Sequence, residues 1–173
     1  MKRKTKKNLF RLYVIVSLAL IIGGSYYFWQ NFNAKPQVVK PLTGSKIQVK
    51  LYYYNHLRDT AKSLSPKMLF PVTRNIPKTP SPIQDTIKLL LKGNLTKEEK
   101  IEGFSTEFPH PGFELKSTHL KNGILTLRFS EVLGFTSGGA ARMELISEQI
   151  IKTAKQFPNV KQVEFEPAYL FQP

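Results

Sequence analysis

The chain contains no cysteine. That excludes disulfides, thiolate metal sites, a cysteine nucleophile and a lipid-modified N-terminal cysteine. Acidic residues are scarce as well: 12 Asp and Glu stand against 26 Lys and Arg in 173 residues, for a formal net charge of +14. The excess is uneven. Residues 1–45 hold eight cations (Lys2, Arg3, Lys4, Lys6, Lys7, Arg11, Lys35, Lys40) and no acid, leaving 18 cations against 12 acids, or +6, for the remainder. A +6 domain permits weak attraction to anionic polymers, and nothing in it calls for nucleic acid as a partner.

What is present begins with an address. MKRKTKKNLFR precedes LYVIVSLALIIGGSYYFW, a stretch without charge that approaches the ~20 residues needed to span a bilayer as a helix. The pattern predicts a basic cytoplasmic segment over 1–11 and a transmembrane anchor over 12–29, with the C-terminal part outside the cytoplasm. The apolar run Leu12 to Ile22 ahead of Gly23-Gly24-Ser25 also fits a cleaved signal peptide. Tyr26, Tyr27, Phe28 and Trp29 suit the aromatic belt of a membrane interface and favour the anchor. The expected location is therefore the cell membrane, single-pass, N-terminus cytoplasmic. Residues 30–45, QNFNAKPQVVKPLTGS, read as an extended spacer, and a folded domain is expected over 46–173.

Within that domain, KIQVKLYYYN alternates as a half-buried strand, and Pro71 confines MLFPVTR to a sheet edge or a short irregular piece. SPIQDTIKLLLKG predicts a helix over 81–93: Ser81 as cap, Pro82 at the first position, Gln84 completing a capping box and Gly93 as the left-handed stop. NLTKEEKIEGFSTEFPHPG reads mostly as loop, with one helical turn at TKEEK. FELKSTHL-KNG-ILTLRFS predicts a hairpin. A three-residue loop Lys121-Asn122-Gly123 would set Leu125, Leu127 and Phe129 against His119, Ser117 and Leu115. A two-residue Asn122-Gly123 turn would set them against Leu120, Thr118 and Lys116, a poorer core, so the first register is expected. A long helix over Gly139–Gln156, with Met143, Ile146, Ile150, Ala154 and Phe157 on one stripe, and a last strand in VKQVEFEP complete the order β-β-α-β-β-α-β. The expected fold class is α+β, one mixed, mainly antiparallel sheet with two helices on one face.

The search for chemistry is short. His56, His110 and His119 sit in no catalytic motif or metal-ligand spacing, and carboxylate pairs such as Glu107 and Glu114 or Glu98 and Glu99 are what any domain offers. No enzyme activity, metal or cofactor is therefore expected. Asn94-Leu95-Thr96 is a glycosylation sequon by pattern only. TSGGAAR (136–142) lacks the lysine followed by Ser or Thr that a phosphate loop needs. Ser137, Gly138, Gly139 and Arg142 remain a candidate anion or partner site at a helix start. The plainer reading is a helix capped by Thr136 or Ser137, with Arg142 facing solvent or a nearby acid.

LFPVTRNIP, PIQDTIKLLLKGNLTKEEKIEGFSTEFP, LKNGILTLRFS and GFTSGGAARMELISEQIIKTAKQFPNVKQVEF follow the order and spacing of the GerMN domain, the module of bacterial sporulation and germination proteins. The chain resembles that family over about 47–166. The resemblance implies a membrane-tethered, non-enzymatic extracytoplasmic module, with envelope proteins or copies of itself as partners and a cell-wall polymer as the alternative. Pro71, Val72, Arg74, Leu90 to Gly93, Gly103, Asn122-Gly123, Gly138, Gly139 and Arg142 match its scaffold positions. The chain departs from the family in lacking a lipid-accepting Cys and in its tail EPAYLFQP, which could add an apolar contact.

Overall fold

The computed structural model describes residues 44–172. The expected cytoplasmic segment, the anchor and the spacer up to residue 43 lie outside them. The described residues form one compact unit, and among them no helix is long and apolar enough to cross a membrane.

Strand β1 (Lys46–Asn55) buries Val49, Leu51 and Tyr53 at every second position. A 3-10 turn (Pro66–Met68) leads into β2 (Leu69–Pro77), which pairs antiparallel with β1 from Lys46↔Pro77 to Tyr54↔Leu69. Pro71 lies exposed on this edge strand, where a missing N–H costs nothing. Helix α1 (Pro82–Leu91) buries Ile87 and Leu90, and helix α2 (Lys97–Ile101) precedes the two-residue strand β3 (Phe104–Ser105). Strands β4 (Leu115–Lys121) and β5 (Ile124–Phe129) form the hairpin. Helix α3 (Ala140–Lys155) then buries the stripe Met143, Ile146, Ile150 and Ala154, and β6 (Gln162–Glu166) closes the order.

The class is α+β, but the single sheet expected from the sequence is replaced by two. Their orders are β2-β1-β3 and β4-β5-β6, the second with a parallel β5–β6 pair. The expected pair of helices becomes three among the described residues. The division has a local cause in α3. Its Gln156 side chain accepts from Lys50 N and donates to Lys50 O, both at 2.7 Å, and Thr153 Oγ1 accepts from Tyr52 N at 3.1 Å. Helix side chains thus satisfy the edge of β1 that another strand would otherwise take. One apolar cluster still joins the halves, from Leu51 and Val72 through Ile87, Leu90 and Ile150 to Leu125, Leu127 and Phe129.

Two local expectations are corrected. The hairpin closes through the two-residue turn: Lys121 pairs with Ile124, Leu120 with Leu125 and Thr118 with Leu127. Asn122 (φ 52°) and Gly123 (φ 84°) are both left-handed, as this tight turn requires. A register shift between Leu115 and Ser117 then sets Leu115 against Phe129, so one bulge at Lys116 restores an apolar residue to the core face. The capping box forms at Thr96 and Glu99 of α2 and not at Ser81. Ser81 has ψ 57° and makes no side-chain cap, while its N–H goes to Thr79 Oγ1.

Candidate functional site

The glycines of TSGGAAR begin α3 without side-chain help. Gly139 is the N-cap residue, and Thr136, expected to cap, donates its hydroxyl back to Val132 O. Ser137 does not cap either, but its carbonyl accepts from Arg142 Nη1 at 3.3 Å, as does Phe135 O. Arg142 Nε donates to both Glu107 carboxylate oxygens at 2.9 Å, and Nη2 donates to Glu107 Oε2. The partner of Arg142 is thus a nearby acid of the same chain, Glu107. Around the pair, the guanidinium lies 5.5 Å from the centre of the buried Phe135 ring, and His110 stacks on the same ring at 4.0 Å. Phe108 and Phe113 meet Phe135 edge-on. The pairing of Glu107 with Arg142 was not legible in the sequence, because 35 residues that include the β4–β5 hairpin separate the two.

The arrangement ties the 106–112 loop to the helix. In a double-mutant cycle of Arg142→Ala and Glu107→Ala followed by thermal unfolding, the coupling should be about 0.5–1 kcal/mol, the scale of a half-exposed ion pair.

The scaffold positions form a second centre. Arg74 Nη1 and Nη2 donate to the two carboxylate oxygens of Glu99 at 2.7 and 2.6 Å, and Nη2 also donates to Asn94 O. The guanidinium holds the Glu99 carboxyl below its usual range. Glu99 also closes the capping box with Thr96, so one carboxylate fixes the start of α2 and fastens it to β2. Thr96 of the sequon is thereby structural, while the exposed Asn94 contributes its carbonyl to Arg74. Gly103 O accepts from His56 N at 2.9 Å, joining the loop after β1 to the end of α2.

The three histidines are not brought together into a reactive group. His56 is exposed after β1, His119 is exposed on β4, and His110 Nδ1 lies 3.0 Å from Pro111 O. Among the described residues no cluster of three or more His, Asp and Glu could hold a metal ion. The buried acid among the described residues is Asp59, in the loop after β1. It accepts from the Tyr54 hydroxyl at 2.7 Å, from Ser63 Oγ and from Leu64 N, and the Tyr54 bond leads in holding its carboxyl below the usual range.

A pH dependence follows. Burial pushes both Tyr53 and Tyr54 up to about 12, from an ordinary value of 10. A raised phenol pKa means that the neutral form is favoured in the fold, so this stability is intact below pH 10 and lost as pH rises from 10 to 12. Melting temperature measured across that range should fall, less steeply in Tyr54→Phe. At neutral pH that variant should lose about 1–2 kcal/mol, because Asp59 is left without its hydroxyl donor.

The Germane family model, described as sporulation and spore germination, matches residues 50–166. The chain belongs to this family. The match agrees with the GerMN resemblance and runs from within β1 to the end of β6. Two solved structures are similar to this Germane chain. The tandem GerMN domains of the sporulation protein GerM from Bacillus subtilis are 23% identical, covering 76% of this chain and 42% of that one, with a TM-score of 0.48. A putative lipoprotein from Clostridium perfringens is 18% identical, covering 75% and 78% of the two chains, with a TM-score of 0.38. The alignment thus spans less than half of the GerM chain. No curated protein matches.

Proposed function

We propose that this Germane chain is a membrane-tethered, non-catalytic module that engages other proteins, partner envelope proteins or its own copies, outside the cytoplasmic membrane. The observation that carries the reading is how its charged groups are used. Arg142 and Glu107, Arg74 and Glu99, and Asp59 with Tyr54 are spent on one another and on nearby backbone, as struts of a scaffold. The N-terminal sequence supports the tether, and family membership supports a role in the machinery of sporulation or germination.

Two measurements test the reading. The full chain with a C-terminal tag should remain in carbonate-washed membranes, and the tag should be cut by protease added to spheroplasts. The soluble unit 41–173 should stay in the supernatant when mixed with purified cell-wall sacculi at every salt concentration. Saturable co-sedimentation that weakens with salt and in Arg142→Ala would put an anionic wall polymer in place of a protein partner.

A further inference from the structure

We propose that the seam between α1 and the free edge of β4 receives an extended segment of a partner protein as an added strand. The proposal rests on the reading of this domain as a protein-interaction module and names the surface and the chemistry that would serve it.

β4 ends the sheet β4-β5-β6, with no strand on its outer side among the described residues. The tight turn fixes which of its backbone groups point outward. Lys121 and Ile124 close a two-residue hairpin and exchange hydrogen bonds, so by alternation Thr118 and Leu120 direct N–H and C=O away from β5. These are the β4 residues that line a cavity of about 450 Å³, together with Ser81, Ile83, Gln84, Leu125 and Phe157. The register that made Thr118 look a poor core residue has a use here: Thr118 and Leu120 floor a cleft instead of lying under a helix.

A second cavity of about 390 Å³ opens at the other end of the same two elements. Leu115 and Glu114 line it from the β4 side, and Lys88, Leu91 and Lys92 from the α1 side. The start of α1 therefore faces the end of β4, and the end of α1 faces its start. From Ser81 to Lys92 the helix advances roughly 16 Å, and from Leu115 to Leu120 the strand advances roughly 17 Å. The lengths match, and a segment of about five extended residues spans both cavities. Gln84, Lys88 and Leu91 stand at i, i+4 and i+7, one stripe along the seam.

Charge selects the occupant. Lys88 and Lys92 are exposed, while Glu114, the one acid lining either cavity, is bonded by Lys116 at 2.7 Å. The segment that fits carries an aliphatic side chain for the Ile83–Leu120 end and a carboxylate two or four residues away for the Lys88–Lys92 end. An alternating strand places both on one face.

A phage library of random heptapeptides panned on residues 41–173, followed by anisotropy of the synthesised consensus peptide, tests this. Expected are an aliphatic and an acidic residue at even spacing, amide shifts confined to Ser81–Lys92 and Glu114–Lys121, and at least tenfold weaker binding to K88E/K92E. Thr118→Pro removes one outward N–H and no bond of the hairpin, so it should keep the fold and still weaken binding at least tenfold. Peptides that map elsewhere, or that bind Thr118→Pro unchanged, overturn the seam while leaving an interaction module standing. A panning that enriches nothing overturns it too, and the membrane and sacculus measurements then decide the broader reading separately. Binding to 41–173 but not to the full chain would assign the seam to the chain's own N-terminal part and overturn it as a partner site.

Discussion

Gly93→Ala should leave the domain largely insoluble or lower its melting temperature by about 10–15 °C, a loss of at least ~3 kcal/mol. Gly93 follows α1 with φ 59°, a conformation that costs an alanine roughly 1 kcal/mol. The greater part of the loss is steric. A methyl group on Gly93 would fall inside the Phe108 carbonyl and lie 2.8 Å from Pro109 N. Backbone cannot swing aside as a lysine tip can, and Phe108 is buried among Phe113 and Phe135. The 106–112 loop would have to move, taking Glu107 away from Arg142. Urea unfolding of Gly93→Ala beside Gly134→Ala, also left-handed at φ 81° and with nothing within 4 Å of an added Cβ, separates the clash from the conformational cost. Equal losses at the two positions would refute the close approach.

Removing residues 167–173 should cost about 3–6 kcal/mol, the scale of exposing two large apolar side chains. Leu170 and Phe171 are buried at 3% and 7% exposure. The Phe171 ring meets Phe165 at 5.0 Å, Phe113 at 5.9 Å and Phe129 at 6.5 Å, and its N–H donates to Thr136 O. The contact that the unusual tail could add is thus internal: it covers the aromatic end of the second sheet beside the start of α3. Calorimetry of the truncated domain, with Phe171→Ala as a milder variant losing about 3 kcal/mol, checks the attribution. A truncation that melts with the intact domain would show that the tail is only peripheral.

What was legible in the sequence was periodic. The stripe of α3 follows from a 3.6-residue repeat ending at Pro158-Asn159, and β1 follows from strict alternation. The hairpin exposed the limit of such patterns. Asn122-Gly123 announced its own turn, yet the bulge at Lys116 changes which face the later residues share, so no single register satisfies the whole strand. Capping chemistry misled for a related reason. Ser81 and Thr96 both begin the required spacing, but only Thr96 has the extended backbone and the glutamate partner that close the box. At the candidate site the sequence located Arg142 and not its mate. Glu107 is 35 residues away, and the loop that carries it reaches Arg142 by packing Phe108 and His110 on Phe135.

The plug of Thr153 and Gln156 on β1 also bears on solubility. Exposed strand edges template chain-to-chain pairing and aggregation, and this domain disarms two of its own by different means. Pro71 and Pro77 interrupt the outer row of β2, and the Gln156 amide occupies Lys50 on both its N–H and its C=O. Gln156→Leu would keep the helix while unmasking a stretch rich in valine, leucine and tyrosine, turning a quiet flank into a nucleus for amorphous or fibrillar deposits. Among the described residues the edge of β4 carries no such plug, as the proposed strand addition requires.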